Sequence, residues 1–197
     1  MKDWKNILSL AVLSLLFFSV KAKSVCDNYG RLYVGFSTLS VDNSNSDNDN
    51  GFHLGYVYGA NVTGHKKPVF LQLGIEYNLV TQAESDVRET FSNVEIPLNL
   101  TYKFKVSDYC SFEPLVGISW RFNASAKISN DSKKLDYLSN LDAHPFQFGI
   151  NVGAWLCFDK CSFGYRFNPD LTNFLDKKSI GKDLKTRYHF ISIGLNF

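Results

Sequence analysis

The 197-residue chain contains no apolar run long enough to carry a helix across a bilayer. The longest, from Ile7 to Val20, has 14 residues and is interrupted by Ser9, Ser14 and Ser19, whereas a spanning helix needs about 20. An excess of one charge is missing too. Beyond residue 22 the 21 basic and 19 acidic residues lose Lys2, Lys5, Lys21 and Asp3, which leaves 18 of each. A neutral chain offers no electrostatic footing for nucleic acid. Metal ligands are dispersed. His53, His65, His144 and His189 are scattered, and the four cysteines lack the short paired spacings or neighbouring histidines of a zinc site. No nucleophile–base arrangement stands out, so neither catalytic residues nor a cofactor are expected.

The front of the chain has the three parts of a secretory signal. Met1-Lys2-Asp3-Trp4-Lys5 is a basic start, the short apolar core follows, and Val20-Lys21-Ala22 supplies a small residue for cleavage. Cleavage is expected after Ala22, with Ser24 as the alternative. Lys23-Ser24-Val25 before Cys26 lacks the small residues of a lipidation site. Residues 1–22 are thus read as a signal peptide and 23–197, 175 residues, as one domain.

Within that domain the dominant pattern has period two. Val94, Ile96, Leu98, Leu100, Tyr102 and Phe104 alternate with Glu95, Pro97, Asn99, Thr101 and Lys103. The same holds for Val69 to Leu79, for Phe146 to Phe158, and for the last residues, where Ile191, Ile193, Leu195 and Phe197 alternate with Ser192, Gly194 and Asn196. Alternation over 10 or more residues is a strong strand signal. Eight strands are expected, at 31–39, 52–58, 69–81, 91–106, 110–124, 145–158, 161–171 and 186–197. Apolar faces on so many strands, with no spanning helix, imply a closed sheet in lipid, since lipid leaves no water to satisfy an open edge. The expected fold is all-β: an eight-stranded antiparallel transmembrane β-barrel in a bacterial outer membrane.

Segments 40–51, 82–90, 125–144 and 172–185 are polar and mostly long, whereas 107–109 and 159–160 are tight. Long connections belong outside and short ones in the periplasm. The connection 59–68 is long for a periplasmic turn. Outward aromatics are expected at both ends of the strands: Phe104, Phe112, Phe158, Phe163 and Phe197 at the periplasmic end, and Tyr77, Trp120, Phe122 and Phe146 at the other.

The inward face carries Glu76, Glu95, Lys103, Glu113, Arg121 and Arg166. Folding 91–106 onto 110–124 about Asp108 places Glu95 opposite Arg121 and Lys103 opposite Glu113. Side chains fill an eight-stranded interior, so these charges are expected to pair as a structural plug rather than line a path. Cys26, Cys110, Cys157 and Cys161 gather at the periplasmic end and are disulfide candidates, an exported chain being permissive; four cysteines allow three pairings, of which Cys110 with Cys157 joins adjacent strands. Asn61, Asn99, Asn123 and Asn130 begin glycosylation triplets, read as chance matches.

Residues 94–104, Val-Glu-Ile-Pro-Leu-Asn-Leu-Thr-Tyr-Lys-Phe, resemble the EIPL-x-L-x-Y-x-F strand of small outer-membrane β-barrels of the Bacteroidetes, often labelled "porin family". Pro114-Leu115-Val116-Gly117 is similar to the P-x-x-G of the next strand, and Gly164-Tyr165-Arg166-Phe167 with Leu171-Thr172-Asn173 to a late G-Y-R-Y-x-x-G-L-x-N segment in which Asp170 replaces the usual glycine. The resemblance spans roughly 30–197. It implies an eight-stranded barrel with no established activity, and a final aromatic, Phe197, read by the barrel-insertion machinery.

The leading expectation is a monomeric, non-enzymatic barrel in outer-membrane lipid whose external segments, especially 125–144 and 172–185, meet a ligand or partner. The alternatives are a narrow porin-like channel for small solutes, a lipid-modifying barrel enzyme using His144, Ser132 and Asp142, and a soluble lipocalin-like binder.

Overall fold

A computed structural model describes residues 26–41, 49–64, 66–84, 87–130, 133–136, 138, 143–175 and 184–197. The expected signal peptide lies outside these residues, as do Ser132 and Asp142. The strands, in chain order, are β1 (Tyr29–Val41), β2 (Asp49–Asn61), β3 (Val69–Glu84), β4 (Val87–Tyr102), β5 (Phe104–Lys105), β6 (Cys110–Asn130), β7 (Lys133–Asp136), β8 (Phe146–Phe158), β9 (Cys161–Pro169) and β10 (Thr186–Asn196).

Each strand pairs antiparallel with its neighbours, and β1 pairs with β10, which closes the sheet. β5 continues the line of β4 past Lys103, and β7 adds only to the end of β6. Eight strands therefore form the wall. Closure removes every free edge. Gly30 and Phe197 exchange two backbone hydrogen bonds at the seam (2.7 and 3.0 Å), and the Phe197 ring stacks on Tyr56.

Several strands run further than their alternation suggests. The segment 82–90, expected as a polar connection, is a hairpin: pairing continues through Gln82↔Glu89 to Glu84↔Val87. Likewise β6 extends through the first six residues of the expected loop 125–144 and pairs back onto β7. Its alternation fails at a bulge where Ser92 pairs with Ser125 but Asn93 with Asn123. One extra residue flips the faces beyond it, so Ala126 rather than its neighbours is buried. Strands of 16 and 21 residues exceed the 9–11 a tilted strand needs to cross lipid.

The long turn between β2 and β3 is built by side chains. Asn61 Nδ2 donates to the Lys67 carbonyl (2.8 Å), the Thr63 amide donates to Asn61 Oδ1 (2.9 Å), and Thr63 Oγ1 bonds both the carbonyl and the amide of Lys67. Gly64 supplies the left-handed residue at φ 61°. The Asn61 triplet thus serves the turn. Pro97 is accommodated by a break in pairing: the β3–β4 ladder skips from Leu73↔Leu98 to Glu76↔Glu95. The missing proline donor falls where no ladder bond is made.

The outer wall is apolar. Leu54, Leu71, Leu73, Ile75, Leu100, Val116, Val152, Ile191 and Ile193 all face out. Aromatics flank them. Phe104, Phe112, Phe158, Phe163 and Phe197 are exposed at the short-turn end, and Tyr77, Phe122 and Phe146 at the other, with Trp120 half-buried against Phe148.

Candidate functional site

With the apolar residues outside, the interior is where the polar chemistry lies. Its width is set by alternating large and small side chains. Tyr29 sits opposite Gly59, Tyr33 opposite Gly55, and Trp155 opposite Gly164. A Cβ at any of these glycines would come within 2.5–2.6 Å of the facing ring. The rings therefore lie across the lumen on ground that only glycine leaves free.

At the short-turn end three charges meet. Glu113 receives Arg31 Nη2 at 2.7 Å and Lys103 Nζ at 3.0 Å, and the Tyr29 hydroxyl donates to it at 3.1 Å. Arg31 lies 4.4 Å over Trp155, and Lys103 lies 4.2 Å over Tyr29. Arg31 and Glu113 are fully buried; Lys103, at 16 % side-chain exposure, opens to the end of the barrel. Arg31 is the third residue of β1 and is missing from the sequence-based set, because alternation marks a strand's middle better than its first residues.

Next comes a waist of Tyr33, Val57, Leu115 and Trp155, accompanied by the neutral amides of Gln72 and Asn99. A cavity of about 10 Å³ lies among them, bordered also by Arg166 and Ser192. That is room for about one water molecule.

Beyond the waist five charges alternate in sign across the lumen. Arg166 Nη2 donates to both oxygens of Glu76 (2.8 Å each) and lies 3.2 Å from Glu95 Oε1. Arg121 Nη2 donates to Glu95 Oε2 at 2.9 Å, while its Nη1 reaches both oxygens of Asp170 at 2.7 and 2.6 Å. The series reads Glu76, Arg166, Glu95, Arg121, Asp170. Neutral donors close it. Tyr33 donates to Glu76 at 2.7 Å, Gln147 to Asp170 at 3.0 Å, and Thr186 also donates to Asp170. Arg121 further donates to Asn168 and lies 4.0 Å from the Tyr188 ring centre.

At the outer end an apolar cap covers this ladder. Leu39, Val80, Phe91, Ala126, Ala143, Phe174, Leu175, Tyr188 and Phe190 are buried together, with Leu138 and Leu184 packed against them. Phe174, Leu175 and Leu184 come from the connection 172–185, expected to be polar and outward. The chain there turns in: His144 and Phe174 share a backbone hydrogen bond of 2.9 Å, and Leu175 bridges to Leu184.

The six charges picked out by alternation thus all lie in the interior. Glu95 stands opposite Arg121, Lys103 contacts Glu113, and Glu76 contacts Arg166. Arg31 and Asp170 complete the set. Asp170 falls near the end of the expected strand 161–171, on the same face as Arg166, but alternation at a strand's end is too short to set it apart from an exposed turn aspartate.

The expected disulfide is corrected. Cys110, Cys157 and Cys161 are free thiols, and no pair of cysteines is bonded. Cys110 pairs across to Phe158, whose other neighbour is Cys161. Two strand spacings of about 4.8 Å separate Cys110 and Cys161, beyond the reach of about 7 Å between the Cα atoms of a disulfide. Cys157 faces the lumen, where its sulfur receives Arg31 Nη2 at 3.1 Å. Of the residues proposed for a lipid-modifying site, His144 alone is described, and it is exposed. Among the described residues no cluster of His, Cys, Asp and Glu could hold a metal.

Comparisons with known proteins agree with the wall and its apolar belt. Among solved structures, 82–87 % of the chain superposes on small barrels over nearly their whole length. Ail, the attachment invasion locus protein of Yersinia pestis, in complex with the heparin analogue sucrose octasulfate, matches with a TM-score of 0.51 at 17 % identity, over 87 % of this chain and 99 % of that one. Neisserial surface protein A matches at 0.52 and 16 % identity, over 86 % and 95 %. The outer membrane enzyme PagL matches at 0.52 and 12 % identity, over 82 % and 97 %. At these identities the likeness is one of fold. No curated protein matches the sequence. The family model described as "Outer membrane protein beta-barrel domain" matches residues 9–197. The chain belongs to that family and is a small β-barrel of the bacterial outer membrane.

Proposed function

We propose that this barrel is a non-enzymatic surface protein whose lumen is a structural plug and whose extracellular connections bind a ligand or partner. One observation carries the reading: among the described residues the ladder is stacked between the waist and the apolar cap, and the cavity bordered by the waist is water-sized. With the bore closed, the surfaces left for recognition are at the ends. The β9–β10 connection is the most basic of the outer ones. Between residues 172 and 185 it holds Lys177, Lys178, Lys182 and Lys185 against Asp176 and Asp183, and Arg187 follows in β10. A basic connection at the cell surface suits an anionic polymer of the envelope or of a surface the cell meets. The sulfated ligand in the Ail complex is of that chemical kind.

The test is retention of the purified, folded barrel on an immobilised sulfated polysaccharide at low and moderate salt. Replacing Lys177, Lys178, Lys182 and Lys185 by Gln should abolish retention while leaving the folded band on a cold gel unchanged. Equal retention of wild type and variant would refute the basic connection as the binding surface. The channel reading is favoured by none of the interior contacts. Conductance separates it.

A further inference from the structure

The eight charges of the two interior clusters balance together but not within each cluster. Arg31 and Lys103 face one carboxylate, Glu113, and Lys103 reaches the periplasmic end, where water can solvate it. The ladder holds three carboxyls, Glu76, Glu95 and Asp170, against two guanidiniums, Arg121 and Arg166. All five are buried. The waist cluster brings no described charged side chain besides the ladder's own Arg166 at its cavity, and the cap cluster is apolar apart from the Tyr188 hydroxyl, while Asp49, buried opposite Leu39 of the cap, adds a further acid and no positive charge. A full uncompensated charge in such a compartment costs several kcal/mol, and buried groups neutralise instead of bearing it.

We infer that Asp170 is a proton-binding site, and that it carries the one proton that brings the ladder to zero charge at weakly acidic pH. The other ways to neutralise the ladder fit less well. A metal cation would need a cluster of ligands, and Arg121 and Arg166 already occupy the gaps between the carboxyls. His53 on β2 is the nearest other titratable cation. Its Nε2 contacts the Ser192 hydroxyl at 2.8 Å, and its ring packs against Tyr33 and Phe190. Its Nδ1 is buried without an acceptor, which an imidazolium would need. Tyr33 and Tyr188 complete the titratable groups facing the ladder, and both bring hydroxyls rather than a positive charge.

Among the three carboxyls, Glu95 lies between both guanidiniums, and Glu76 is held on both oxygens by Arg166 and also by Tyr33. Asp170, like Glu76, shares its one guanidinium with Glu95; what sets it apart is its place at the end of β9. It lies next to Thr186, whose hydroxyl can accept a hydrogen bond from a protonated carboxyl as readily as it donates to a carboxylate. It stands one residue beyond the outer end of β9, whereas Glu76 and Glu95 lie in mid-strand. The proton comes from solvent and returns to it, and no other bond changes.

Infrared spectroscopy of the full-length barrel in lipid tests this directly. At about pH 6 exposed carboxyls, with ordinary values near 4, are ionised and silent in the region of the protonated carbonyl stretch. Two further acids at the outer end, Asp49 and Glu89, are raised by burial, so the measurement is made in an Asp49→Asn, Glu89→Gln background; that barrel should show one protonated carboxyl, shifted by exchange into D2O and lost in a single step as pH is raised. In the same background Asp170→Asn should remove that band, and Glu76→Gln should leave it. A background barrel with no protonated carboxyl at pH 6, or a folded Asp170→Asn barrel that retains the full band, would overturn the inference.

Discussion

Replacing Arg121 by Met should be the most damaging single change in the interior. Arg121 is fully buried, bonds Glu95 and Asp170 across the lumen, and lies over Tyr188. Methionine fills much of the stem's volume, so the loss is electrostatic more than steric. The variant leaves Glu95 with only the 3.2 Å contact to Arg166 and removes the guanidinium from Asp170 altogether. Breaking a buried pair from one side costs about 3–5 kcal/mol. With a urea dependence of about 2 kcal/mol/M, the unfolding midpoint should fall by about 2 M. The assay is urea unfolding of the barrel refolded in lipid vesicles, followed by the fluorescence of Trp155, which lies in the waist. The companion variant Glu95→Gln removes the carboxylate that Arg121 served. Combined with Arg121→Met it leaves Glu76 paired with Arg166 and, if Asp170 holds a proton, no net charge. The double variant should recover about 2 kcal/mol relative to the sum of the singles. Loss of less than about 1 kcal/mol on Arg121→Met would mean that lumen water screens the pair, and strict additivity would mean that the two groups act apart; either refutes the dry ladder.

Two further outcomes follow from the packing. Gly164→Val should destabilise the barrel by about 1–3 kcal/mol or prevent folding, because its Cβ would lie 2.5 Å from the Trp155 ring, and the yield of the heat-modifiable folded band checks this; pairing it with Trp155→Ala should restore folding. Cys161 is exposed whereas Cys157 is buried against Arg31, so a water-soluble maleimide should label Cys161 in the folded protein and Cys157 only after unfolding. Labelling of both at equal rates in folded protein would place Cys157 wrongly.

What the sequence discloses follows the physics of each element. Where lipid lies on one face and packed side chains on the other, period two is enforced, and the middle of β3, β4, β8 and β10 can be read directly. The β4–β6 register is legible for the same reason: Glu95 with Arg121 and Lys103 with Glu113 share one index sum, and opposite charges there point to one alignment. Beyond the bilayer that constraint lapses. The outer halves of β3, β4 and β6 carry polar residues on both faces, and the Ser92/Asn93 bulge shifts the phase, so they read as loops. Asp170 and Arg31 stand at strand ends, where alternation is too short to assign a face. Phe174 and Leu175 are two apolar residues in a lysine-rich connection, and only the folded chain shows that they seal the mouth. The cysteines cluster at one end as expected, but strand spacing and facing keep them apart.

The closed lumen is the central claim, and conductance tests it most directly. Purified full-length barrel is inserted into a planar lipid bilayer at moderate salt and its current recorded at fixed voltage. The cap, ladder and waist predict no steady unitary step, and at most brief, small openings. Steady, large steps from single insertions of the monomer would show a continuous aqueous path through the ladder, contradicting the plug and putting the channel in its place.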